Sequence, residues 1–271
     1  TIATAGFSTR NGSIAAFDSL FIELVMIVFM ILAGCNFTLH YFFLNKHWKT
    51  YWKDVEFRAY IRLLLAAVVI LCLVTWISGA GGSFGKSLRD SLFTATAIMT
   101  STGYATADYN AWPATARVLI VILMFIGACG GSTSGGMKVI RHLLTFRFVL
   151  DRIQKHYSPR LIKDVKIGGR IVDDSLVQPV LGFFIAIFIL LGFFTLLITI
   201  LEPGLDMVSC FSAVASTLNN IGPALGAFGP TENFASLQVE SKWILSFCML
   251  LGRLEIFSVL VLFAPRFWSG V

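Results

Sequence analysis

Four long apolar runs decide what this chain can become. Residues 17–44, 59–79, 176–201 and 238–265 each read as a spanning helix, since about 20 mostly apolar residues cross the hydrocarbon layer. Runs of this number and length do not fit inside one aqueous core of 271 residues. Charged residues make up only 13% of the chain, about half the share of an ordinary soluble domain. The expected fold class is all-α integral membrane protein.

A fifth stretch, 115–150, behaves differently. It begins as a helix at Ala114–Ala128, meets Gly127, Gly130, Gly131, Gly135 and Gly136, and regains apolar periodicity at Val139. A helix broken in mid-membrane is expected, and irregular backbone at that depth is tolerated only where it is buried in protein or lines a water-filled path. The net charge of +6 does not point to nucleic acid, because the basic residues lie in short segments between the apolar runs. Five stand in 46–62, nine in 138–170 and one at Arg266, against Arg10, Lys86, Arg89, Arg117 and Lys242 on the opposite side. The richer side is cytoplasmic by the positive-inside rule. Residues 1–10 lack the pattern of a signal peptide, and the chain is expected to begin part-way through a longer protein.

Two outer segments, 86–105 and 206–228, are too short and too polar to cross. Each opens on an acid that is expected to cap a helix, Asp90 and Asp206, followed by a Ser-, Thr-, Ala- and Phe-rich stretch. Such a helix reaches about half-way through a bilayer, roughly 15–18 Å. After each comes a glycine triplet, Ser101-Thr102-Gly103 and Asn220-Ile221-Gly222, and Thr4-Ala5-Gly6 occupies the equivalent place near the start. The unit of span, half-helix, triplet and span therefore recurs, which divides the chain into five parts. They are the triplet and second span of one unit (1–45), a basic cytoplasmic loop (46–58), a unit with a broken second span (59–150), another basic loop (151–175) and a last unit (176–271). A half-helix entering from outside turns its carboxyl end, with about half a negative charge, toward the membrane centre. The glycine after it frees the backbone to aim carbonyls at an axis, and rings of carbonyls replace the hydration shell of potassium.

These motifs, TAGFS at 4–8, TSTGYA at 100–105, NNIGP at 219–223, GGSTSGGMKVIR at 130–141 and GRLEIF at 252–257, resemble the Trk/Ktr/HKT superfamily of potassium transporters, most closely its bacterial TrkH branch. The resemblance implies M1-P-M2 units around a pseudo-fourfold pore, incomplete in this sequence, which lacks the first unit and the first span of the second. It implies potassium uptake across the bacterial inner membrane, with no enzymatic step and no cofactor bound by this chain, potassium being the substrate held at the filter residues alone. It assigns Thr4, Ala5, Gly6, Ser101, Thr102, Gly103, Asn220, Ile221 and Gly222 to the selectivity filter. Gly130, Gly131, Ser132, Thr133, Ser134, Gly135 and Gly136 become an intramembrane gating loop, and Arg253 a barrier in the pore. The implied partners are a second copy of the protein, a cytosolic ring of nucleotide-binding RCK subunits and the lipid bilayer.

Other readings fare less well. GGSTSGGMK is not a phosphate loop, because Gly136 stands where the lysine belongs and Val139 where a Ser or Thr is needed. No nucleophile–base pair or metal cluster marks a membrane enzyme. A coupled carrier also breaks its helices at mid-membrane, but here the half-helices enter from one side with parallel orientation. Arg253 and Glu255, two apart in a span, are expected to point to different faces, one to water and one to a neighbour. Glu23 and Asp18 are expected in the outer vestibule or as caps. The five cysteines read as buried small hydrophobes and the four histidines as interfacial.

Overall fold

The computed structural model describes residues 1–268 except 5, 7, 11, 159–165, 172 and 173. Its helices are α1 (Leu20–Ala33), α2 (Phe37–Leu44), α3 (Lys49–Lys53), α4 (Val55–Ile77), α5 (Phe84–Met99), α6 (Ala114–Phe125), α7 (Val139–Tyr157), α8 (Asp174–Leu201), α9 (Met207–Leu218), α10 (Val239–Arg253), α11 (Ile256–Leu260) and α12 (Pro265–Trp268). Among the described residues the only strands are β1 (Lys166–Ile167) and β2 (Arg170–Ile171), a two-residue antiparallel ladder.

α4 and α8 are long and apolar enough to cross a membrane alone. α8 leaves Ile185, Phe188, Ile189, Phe193, Leu196 and Ile200 exposed, as a helix solvated by lipid tails does. Expected as continuous, the runs 17–44 and 238–265 are each broken instead. α1 and α2 meet at 100°, and α10 meets the α11 segment at 114°. In the first, the Asn36 side chain accepts from Thr38 N at 2.9 Å, so a new helix is capped where the old one ends. In the second, Glu255 takes φ +58°, which no α-helix continues. The third break, between α6 and α7, falls where the glycines place it.

The two short outer helices are present as expected, with corrections to both caps. α5 is capped by Ser83, which accepts from Lys86 N, while Asp90 lies inside the helix and is buried. Asp206 holds the N-cap position of α9, but its side chain caps no backbone N–H and accepts from Ser209 Oγ instead. α5 packs into a core with α4 and α6, built on Tyr60, Leu64, Leu71, Met99, Ile120 and Met124. α9 sits in a second core with α8 and α10, built on Phe194, Ile198, Val214, Leu218, Leu245 and Leu251. Glu23 is neither cap nor vestibule wall. It is buried in α1 and receives the Arg89 guanidinium at 2.6 and 2.7 Å, joining α1 to α5. Asp18 ends the turn at Ser13–Phe17.

Candidate functional site

The three glycine triplets, two of which follow α5 and α9, share one backbone rhythm. Ser101 and Gly103 have φ of +52° and +75°, Asn220 and Gly222 have +55° and +112°, and Thr4 and Gly6 have +49° and +67°. Thr102 and Ile221, in the middle, are not in that region. Ala5 lies outside the described residues. A left-handed conformation at a residue with a side chain costs about 1–2 kcal/mol, so Thr4, Ser101 and Asn220 are held there by their surroundings. Thr102 N and Gly103 N both donate to Ala97 O, and Ile221 N donates to Ser216 O.

The triplets stand side by side in chain order. A Cβ built on Gly6 would collide with the Thr102 carbonyl, and one on Gly103 with the Ile221 carbonyl. Only hydrogen fits at either place. Gly222 is different, with nothing closer to that position than the Gly103 Cα at 4.0 Å. Its N–H and carbonyl are both turned back onto Ser216 Oγ, at 3.1 and 2.9 Å. Among the described residues, the Thr102 and Ile221 carbonyls take no hydrogen bond.

Beneath the triplets lies the glycine loop between α6 and α7. Its base is closed by Gly127 N to Met137 O and Val139 N to Ala128 O, at 2.8 and 3.1 Å. Ser134 Oγ meets Ser101 Oγ at 3.0 Å, and the Lys138 ammonium folds back on the Ser134 carbonyl. The break between α1 and α2 docks on the same loop: Cys129 N donates to Gly34 O, and Phe37 N to Gly131 O. The Thr133 carbonyl receives both Thr4 Oγ1 and an Arg253 Nη1, each at 2.9 Å. One peptide group thus joins the first glycine triplet, the loop and the end of α10.

Arg253 borders two cavities. One, of about 430 Å³, is lined by Thr4, Thr217, Asn220, Ile221 and Gly222. The other, of about 340 Å³, is lined by Gly131–Gly136, Lys138 and Glu255. The helix ends at Arg253, so the expected split of Arg253 and Glu255 by helical geometry does not apply. Glu255 pairs with Arg141 at 2.8 Å, and Arg141 also lies 4.1 Å over the Phe183 ring. Gly252 lets α10 touch the Leu218 carbonyl at the end of α9.

Two of the histidines brace the breaks. His40 bonds the Leu32 carbonyl and the Tyr51 hydroxyl, and His142 bonds the Phe125 carbonyl. Glu56, unmarked in the sequence, accepts from Gly130 N and Ile140 N at the two ends of the loop. Asp54 stands two residues away in the same basic segment, so no local signal singles Glu56 out. All five cysteines are free and buried. Among the described residues, no three His, Cys, Asp or Glu gather where a metal would need them. The donors available to a cation here are carbonyl and hydroxyl oxygens, which suit a hard monovalent ion.

A family model described as TrkH, cation transport protein, matches residues 1–270. The chain is 40% identical over 269 residues to the Trk system potassium uptake protein TrkH of Salmonella typhimurium, covering 99% of this chain and 55% of that protein. It is 34% identical over 271 residues to the Trk system potassium uptake protein TrkG of Escherichia coli K12, covering all of this chain and 55% of the relative. The crystal structure of the potassium transporter TrkH from Vibrio parahaemolyticus superposes with a TM-score of 0.91 at 38% identity, covering 98% of this chain and 57% of that one. The chain thus spans a little over half the length of the curated relatives it matches.

Proposed function

The chain belongs to the TrkH family of cation transport proteins, and on that premise we propose that it carries potassium ions across the bacterial inner membrane through a filter of backbone carbonyls. The observation that supports this most is the shared rhythm of the three triplets, left-handed at the first and third residues, with Gly6 and Gly103 each pressed against the carbonyl of the next triplet. Alternating the backbone handedness turns successive carbonyls toward one side, which is what a dehydrated cation needs. The filter residues are Thr4, Ala5, Gly6, Ser101, Thr102, Gly103, Asn220, Ile221 and Gly222, arranged around a pseudo-fourfold axis. Gly130–Gly136 gate the path beneath them, and Arg253 adds a fixed positive charge beside it. A guanidinium keeps its charge at any physiological pH.

The working protein is a homodimer that a cytosolic ring of nucleotide-binding subunits regulates; the word "system" in the relatives' names favours more than one component. The test is ion uptake by the full-length protein in proteoliposomes. Rubidium should enter faster than sodium, and planar bilayers should show unitary currents. Equal rates for the two ions would remove the filter, and strictly coupled uptake without currents would favour a carrier.

A further inference from the structure

The cytoplasmic elbow at residues 45–58 has two polar connections to the glycine loop, and neither involves the triplets or Arg253. The first is Glu56, in the opening turn of α4. Its Oε1 accepts from Gly130 N at 2.6 Å and from Ile140 N at 3.0 Å, donors that stand on either side of the loop. Ile140 belongs to the first turn of α7, where N–H groups have no helical partner, and Lys138 supplies no side-chain cap. Glu56 therefore caps α7 from another helix, placing negative charge where the helix dipole favours it.

The second connection is a relay. The Tyr51 hydroxyl of α3 donates to His40 Nδ1 at 2.5 Å, while His40 Nε2 donates to the Leu32 carbonyl at 2.9 Å. Two residues on, the Gly34 carbonyl is the one that Cys129 N takes at 3.0 Å, while Thr133 Oγ1 lies 3.3 Å from the Ala33 carbonyl and donates to the nearer Ile2 carbonyl at 2.9 Å. One elbow thus holds both flanks of the loop.

We propose that Glu56 is the latch of the gate, and that the 45–58 elbow is the cytoplasmic surface whose displacement releases it. The proposal rests on reading Gly130–Gly136 as the gate. Both N–H groups share one oxygen, so an opening motion that draws Gly130 and the start of α7 away from α4 breaks the pair together. An apolar cavity of about 500 Å³, lined by Phe43, Trp48, Tyr51, Phe57 and neighbours, lies beside α3. α3 can shift into it without compressing a close-packed core. Lys46, Lys49, Lys53 and Arg58 put this elbow on the basic, cytoplasmic side.

The experiment compares rubidium uptake by the full-length protein and its variants in proteoliposomes. Glu56→Ala should raise basal uptake about tenfold, the change expected when a hydrogen bond to a charged group is lost, with the rubidium-to-sodium ratio unchanged. Glu56→Gln keeps a carbonyl acceptor and should raise it less. A brace would do the reverse, lowering uptake together with the melting temperature. Where Glu56→Ala does not fold, the Gln variant decides through a second readout. Ser132→Cys, added to either background, should react faster with a water-soluble maleimide when Glu56 is Gln; the native cysteines are buried. Unchanged uptake and unchanged labelling overturn the latch. Shortening 131–136 in parallel separates the two ideas. If that deletion raises uptake while the Glu56 variants do not, the gate stands and the latch falls; if it fails to raise uptake, both fall.

Discussion

The stretches α4–α7 and α8–α11 solve one problem with different amounts of backbone. Each places a spanning helix, a short outer helix and a glycine triplet before a second apolar helix that is interrupted beneath the triplet. In the first stretch the interruption runs over residues 126–138, and in the second it is confined to Leu254 and Glu255. A long interruption brings many peptide groups to a depth where each unsatisfied one costs several kcal/mol. Partners for them come from Glu56, from the α1–α2 break and from Ser134 and Lys138. The short interruption needs few partners and carries charge instead, with Arg253 on the Thr133 carbonyl and Glu255 on Arg141. In the proposed reading one stretch obstructs with chain and the other with a guanidinium, and the Thr133 peptide touches both.

The sharpest way to break this comparison is at the two glycines. In Gly103→Ser the new Cβ meets the Ile221 carbonyl in a left-handed backbone. Overpacking and torsional strain together amount to about 3 kcal/mol, a loss of roughly a hundredfold in rubidium over sodium preference. Gly222→Ser meets open space and only the torsional part, so its loss should stay within about tenfold. Equal effects measured by uptake would show that the triplets are interchangeable and the asymmetry idle.

Shortening Gly131–Gly136 should raise flux about ten- to a hundredfold, as expected when a minor open state of roughly 1–10% becomes the only one. Selectivity should not move, since the loop lies below the triplets. A folded, shortened protein that conducts less than its parent would make the long interruption a scaffold.

The smaller change in flux is that of Arg253→Gln. A potassium ion passing about 6 Å away, at an effective dielectric near 20, meets about 2.8 kcal/mol of repulsion. Screening by water leaves an expected rise of about three- to thirtyfold in flux. A lower melting temperature with unchanged flux would identify Arg253 as a brace of the Thr133 peptide. Combining it with the shortened loop sharpens the contrast, because two independent obstructions multiply while a shared one does not.

What could be read from the sequence divides along the same line. Short outer helices, triplets and the glycine-rich interruption announce themselves, because a left-handed torsion or a mid-membrane break favours glycine. The breaks at 34–36 and 254–255 do not. Gly34 and Gly252 pass for ordinary small residues of helix packing, and the partners that make those bends affordable come from elsewhere, through Phe37 N with the Gly131 carbonyl and Arg141 with Glu255. Asp90 failed as a cap because Ser83 lies one turn and more before it with a free hydroxyl. Glu56, His40 and His142 act through backbone groups distant in sequence, and no local pattern marks such a role.

The collision of Gly103 with the Ile221 carbonyl bears on how the molecule is made and how it varies. The residues that meet there are separated by more than a hundred positions, so that contact closes a large loop and forms late, after each short helix has settled between its own spans. Until then neither triplet has its neighbour's wall, and the left-handed residues are unsupported. A change at one triplet is therefore felt by the next, and substitutions tolerated across this family should arise in pairs that span the two stretches.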